Sequence, residues 1–141
     1  MLRNLAVDLL LTLAYSGVGL ALMALGYLLV DVVTPGKLRE LIWTDRNRNA
    51  AVLLASNLLA VGTIVVAAIA AGENSFVTGL VGTAGYGLLG LVVMAVSFVL
   101  LDAATPGRLG DILVDRDSHP AVWVSAAIHL ATGAIVAAAI S

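Results

Sequence analysis

The 141-residue chain is 61% hydrophobic and 11% charged, with a mean hydropathy of +1.07. Soluble domains run near 45–50% apolar and about 25% charged, so the solvent of this chain is lipid. Seven basic against nine acidic residues leave a formal net charge of −2, which offers no basic field to nucleic acid, and the absence of cysteine excludes disulfides, thiolate catalysis and thiolate metal sites.

The first apolar stretch, Leu9 to Val30, holds twenty-two residues without a formal charge, enough to cross a ~30 Å hydrocarbon layer at about 1.5 Å per residue. It is too long for a secretory signal and offers no convincing A-x-A cleavage site, so it is expected to stay as span one. Tyr15 falls near its outer end, a belt position, and Gly17, Ala21 and Ala24 form a small-residue stripe.

Asp31 follows in the last turn of the span, where the negative end of the helix dipole disfavours a carboxylate unless something compensates it. Acceptance of backbone N–H groups at the start of the next helix is one compensation, pairing with Lys37 another, and attraction of a cation or polyamine a third. Thr34-Pro35 reads as the start of that helix, hydroxyl at the N-cap and proline at the first position, with Gly36 beside it. Leu38, Leu41 and Ile42 then fall on one stripe, with Lys37, Arg39 and Glu40 off it and Trp43 at interfacial depth. This is an amphipathic helix lying on the membrane, and Asp45-Arg46 is expected to form a surface ion pair.

Span two runs from Asn49 to Gly72 and carries Asn57. After a turn at Glu73, span three covers Asn74 to Leu101, with Gly79, Thr83 and Gly87 spaced by four and Tyr86 in the belt. Asp102, Thr105, Pro106, Gly107 and Arg108 repeat the first loop, followed by Leu109, Ile112 and Leu113. Asp115, Asp117 and His119 alternate before span four. They are expected to cap it, which is favoured over metal ligation. Span four extends from Ser118 to the C-terminus, with Ser125 and His129 as its buried polar groups. Ser125 lacks an evident orienting acid or oxyanion site, so the chain is read as no enzyme. No cofactor and no metal are expected.

The recurrence is systematic. Tyr15 and Asp31-x-x-Thr34-Pro35-Gly36-x-Leu38 return seventy-one residues later as Tyr86 and Asp102-x-x-Thr105-Pro106-Gly107-x-Leu109, and after one deletion Ile42, Asp45 and Arg46 match Ile112, Asp115 and Arg116 at an offset of seventy. Two repeats, 1–72 and 73–141, thus form one membrane domain. Each has an even number of spans, so the repeats are parallel, related by an axis along the membrane normal. The fold class is all-α: an integral membrane four-helix bundle of two parallel two-span repeats, each with a short interfacial helix after Thr-Pro-Gly. The repeats differ where Asn49-Ala50 becomes His119-Pro120, so the asparagine has no counterpart.

On this duplicated motif, with tyrosine sixteen residues upstream each time, the chain resembles the small bacterial inner-membrane family catalogued as domain of unknown function 350, over nearly its whole length. The resemblance implies a four-span, multi-pass protein of the inner membrane. It brings no settled activity and no catalytic residues to carry over; some members look like neighbours of polyamine-synthesis enzymes, which raises a polycation link.

Lys37, Arg39, Arg46, Arg48, Arg108 and Arg116 all lie in the loops within repeats and only Arg3 on the other face, which places those loops in the cytoplasm and both termini outside. Two functional readings follow. One is a channel or transporter for a cation or small solute, with Asp31, Asp102, Asn57 and His129 as the polar site. The other is a non-catalytic scaffold or accessory subunit that recruits a cytoplasmic protein. Both include the lipid bilayer as partner, no nucleic acid, and a homo-oligomer, with a dimer favoured because the small-residue stripes offer close-packing faces.

Overall fold

The computed structural model describes residues 2–72, 75–115 and 117–141, so the Glu73 turn and Arg116 lie outside the described residues. The protein is all-helical: α1 (Leu2–Val33), α2 (Leu38–Trp43), α3 (Arg48–Ala70), α4 (Phe76–Ala104), α5 (Leu109–Val114) and α6 (Pro120–Ile140). Four of these, α1, α3, α4 and α6, are long and apolar enough to span a membrane. The order long, short, long occurs twice.

The most extensive pairing is α3 with α6, and α3 also packs against α1 and α4. Gly133 of α6 makes the α3–α6 approach close, since a Cβ there would lie 2.7 Å from the Cβ and 2.8 Å from the Cα of Ala60. By contrast α1 rests on α3 and α4 and makes no comparable contact with α6.

The stripe of Gly79, Thr83 and Gly87 faces inward and is buried. A Cβ on Gly87 would strike the side chain of Leu22 on α1, and one on Gly90 would come within 2.8 Å of Ile64 on α3. This face is therefore used within the protomer, where the close approach that small residues permit is taken by α1 and α3. The small-residue stripe of α1, Gly17, Ala21 and Ala24, is exposed.

Both long-to-short connections turn at Thr-Pro-Gly. Proline has no N–H to continue α1 or α4, and Gly36 and Gly107 then take φ of 93° and 94°, a left-handed conformation that glycine adopts at little cost. The short helices begin only after it, at Leu38 and Leu109, not at Thr34 and Thr105. Their apolar stripe also points differently from expectation. Leu38 and Leu109, 0% and 1% exposed, plug one end of the bundle among Val30, Leu53, Phe98 and Val122, whereas Trp43 stands 66% exposed. The plugging leucines bury more apolar surface against protein than a helix floating at the lipid boundary would.

Candidate functional site

Asp31 and Asp102 do the same thing in their two loops. Asp31 Oδ1 accepts a hydrogen bond from the Leu38 N–H at 2.8 Å, and Asp102 Oδ1 one from the Leu109 N–H at 2.8 Å. Each carboxylate thus sits at once in the last turn of a long helix and before the first turn of the short one. The free N–H groups and positive dipole of the short helix compensate the unfavourable end of the long helix. Lys37 is not the partner of Asp31; its Nζ lies 3.9 Å from Glu40 Oε1. We expect Asp31→Ala and Asp102→Ala each to cost roughly 1–3 kcal/mol, the usual loss when a charged acceptor is removed. Thermal melting of the purified single mutants measures it, and parental melting in both would remove this account of the aspartates.

The threonines of the motif are not N-caps. Thr34 Oγ1 donates back to the Val30 carbonyl at 2.7 Å and Thr105 Oγ1 to that of Leu101 at 2.8 Å, satisfying carbonyls at the end of the long helix. The aspartate at the head of the motif has taken the capping role, so Pro35 and Pro106 end a helix where they were expected to begin one.

Asn57 and His129, the buried polar residues of spans two and four, find separate neighbours. Asn57 Nδ2 donates to the Gly26 carbonyl of α1 at 3.0 Å. His129 Nδ1 lies 3.4 Å from Ser56 Oγ, and its ring stacks on Phe98 with centroids 6.2 Å apart. Successive residues of α3, Ser56 and Asn57, thus serve opposite sides, one toward α6 and one toward α1. Ser125 Oγ is spent on the Ala121 carbonyl of its own helix at 2.9 Å. Tyr15 meets Phe76, the first residue of α4, edge to face at 6.1 Å, at the end of the bundle away from α2 and α5. Tyr86 is exposed.

The densest polar cluster is one that sequence reasoning did not select as a site. Asn49 Nδ2 faces the carbonyls of Ile112, Asp115 and Asp117 at 3.4, 3.1 and 2.8 Å, while its Oδ1 accepts from the His119 N–H at 3.2 Å. Asn47 adds contacts from Nδ2 to the carbonyls of Val114 and Asp115, and its Oδ1 accepts from the Ala50 N–H to cap α3. Asn47 and the first turn of α3 therefore clip the second loop, and among the described residues no side chain of that loop returns the clip. The one available signal was the Asn49-to-His119 departure between the halves: those two matching positions meet.

His119 caps α6 through Nδ1, which accepts from the Ala121 N–H at 3.1 Å. Among the described residues no three His, Asp or Glu side chains are grouped to hold a metal ion, and Asp45 and Arg46 form no ion pair there.

Comparison with known proteins agrees with this membrane architecture. The chain is 36% identical over 130 residues to a UPF0719 transmembrane protein of Mycolicibacterium paratuberculosis, covering 92% of this chain and 86% of that one. A UPF0719 transmembrane protein of Mycobacterium bovis is 39% identical over the same share of each chain. No solved structure matches. The model of the family described as Domain of Unknown Function (DUF350) matches residues 4–140, and the chain belongs to that family of transmembrane proteins.

Proposed function

We propose that the protein is a non-catalytic membrane scaffold or accessory subunit, built from two parallel repeats, with its short-helix end in the cytoplasm available to a protein partner. The observation that carries this reading is the dispersal of the polar candidates. Asp31 and Asp102 cap two separate helices, Asn57 bonds to α1 and His129 lies against Ser56 and Phe98. A permeation path for a cation or small solute, the competing reading, would draw on these groups together. The concentration of Lys37, Arg39, Arg46 and Arg48 at one end of the bundle supports both the orientation and the recruitment of an acidic partner.

A liposome flux assay on the reconstituted protein with K⁺, Na⁺, H⁺ and spermidine tests it. The expected result is flux at the level of protein-free vesicles for all four. Selective flux that Asp31→Asn abolishes would establish transport instead.

Self-association belongs to the same proposal and is placed on α1. Its Gly17, Ala21 and Ala24 face is exposed, and a Cβ on Gly17 would meet nothing within 4 Å, so a second copy can approach closely. Gly17→Leu combined with Ala21→Leu should reduce crosslinked dimer in membranes without lowering the melting temperature. An unchanged dimer fraction would overturn this face.

A further inference from the structure

One groove at the short-helix end joins three side chains from two helices. Tyr27 of α1, Arg39 and Trp43 of α2 line a cavity of about 340 Å³. All three offer N–H or O–H donors, and a guanidinium fork matches the oxygens of a phosphate. The ion pair among the described residues is Lys37–Glu40, so the Arg39 charge has no carboxylate partner there.

The same seam continues as an apolar groove. A cavity of about 740 Å³ between α1 and α3 is lined by Met23, Leu58, Leu59, Gly62 and Val66 among others. Met23 and Tyr27, four residues apart, share one face of α1, and Tyr27 and Leu58 pack on the same core cluster. From Ala55 to Val66, its limits on α3, the groove runs roughly 16 Å at about 1.5 Å per residue, near half of a ~30 Å hydrocarbon layer. Its floor is open at Gly62, where an added Cβ would meet nothing within 4 Å.

Charge selects the same side. Residues 37–48 carry four basic and two acidic side chains, net +2, whereas residues 108–119 carry two basic and three acidic, net −1. The positions that match Tyr27, Arg39 and Trp43 in the second half are Phe98, Gly110 and Leu113, which offer no side-chain donor.

We propose that this seam binds one anionic phospholipid, its phosphate held by Arg39 with Tyr27 and Trp43 and one acyl chain lying in the groove past Gly62. The basic pocket and the apolar trough lie about one helical turn apart on α1, at Tyr27 and Met23, in the order of headgroup and chain, and the trough is one leaflet long.

The test is native mass spectrometry of the delipidated, detergent-purified protein titrated with phosphatidylglycerol, with phosphatidylcholine of the same chains, and with inorganic phosphate. We expect one phosphatidylglycerol per chain at concentrations roughly tenfold below those needed for phosphatidylcholine, and no competition from phosphate. Arg39→Gln should weaken phosphatidylglycerol roughly tenfold, as loss of a charge-assisted hydrogen bond does. Gly62→Leu should weaken both lipids by blocking the groove while leaving the lipid-free melting temperature unchanged, and Arg48→Gln, outside the groove, should change neither. Equal binding of the two lipids, or an equal loss from Arg48→Gln, would overturn the site in favour of a diffuse basic surface. Competition by inorganic phosphate at equal concentration would overturn the lipid assignment, and undiminished binding to Gly62→Leu would overturn the seat of the chain.

Discussion

Replacing Gly133 with leucine should destabilise the bundle by at least about 3 kcal/mol, the upper part of the range for overpacking a filled core. The expected size follows from what the new side chain meets. Flexible side chains can step aside, but the Cβ would lie 2.8 Å from the Ala60 Cα and 3.0 Å from its carbonyl oxygen, and backbone yields only if α3 and α6 separate. That pairing is the most extensive among the described helices. Gly133→Ala should already cost stability although alanine favours helix over glycine by about 1 kcal/mol. Adding Ala60→Gly should restore only part of the loss, because it removes the struck Cβ and leaves the Cα in place. Thermal melts of the two single variants and the double variant decide this, and a Gly133→Leu protein that melts with the parent would mean that α3 and α6 do not approach as described. Gly87→Leu should be milder, since its obstacle is the end of the Leu22 side chain.

The second large effect is expected at Asn49, and its sign is diagnostic. Asn49→Ala removes the contacts to three carbonyls and to the His119 N–H. At about 0.5–1.5 kcal/mol each, with two amide hydrogens shared among three acceptors, the loss should be roughly 2–4 kcal/mol. Asn49→Asp keeps the shape but presents a carboxylate oxygen to the carbonyls of Ile112, Asp115 and Asp117, so acceptor faces acceptor. We expect it to melt below Asn49→Ala despite being the closer isostere, with faster amide exchange through residues 114–119. An Asn49→Asp protein as stable as the parent would remove the clip from the account.

Much of this arrangement was legible in the residues themselves. Four spans follow from uncharged length alone, and the observed helix ends differ from the expected ones by up to seven residues, because a helix continues through charged residues such as Asp8 and Arg48 near its ends. The need to compensate Asp31 was readable from the helix dipole, and a spacing of seven between Asp and Leu in both loops carried the answer. Thr34 misled because a hydroxyl before proline can serve the next helix or the last one. Sequence cannot choose until it is known that the aspartate already occupies the cap. The Gly79, Thr83 and Gly87 stripe announced a close approach without naming the neighbour, since periodicity fixes a face and not what covers it. The Asn49 clip lay further out of reach, because its acceptors are backbone carbonyls, which every residue has.

The placement of α1 bears on how the protein comes to be assembled. Both helices it rests on, α3 and α4, are made after it. It must therefore wait in the bilayer as a lone apolar segment, which its hydropathy permits. Once α3 is inserted, the Asn57 amide can seize the Gly26 carbonyl and fix the rotation of the waiting helix. The mate that α6 closes on is α3, so the central pair can form whether or not α1 has docked. Biogenesis and tight packing thus run in different orders: α1, made before the helices it rests on, is held more loosely than the α3–α6 pair that forms after it.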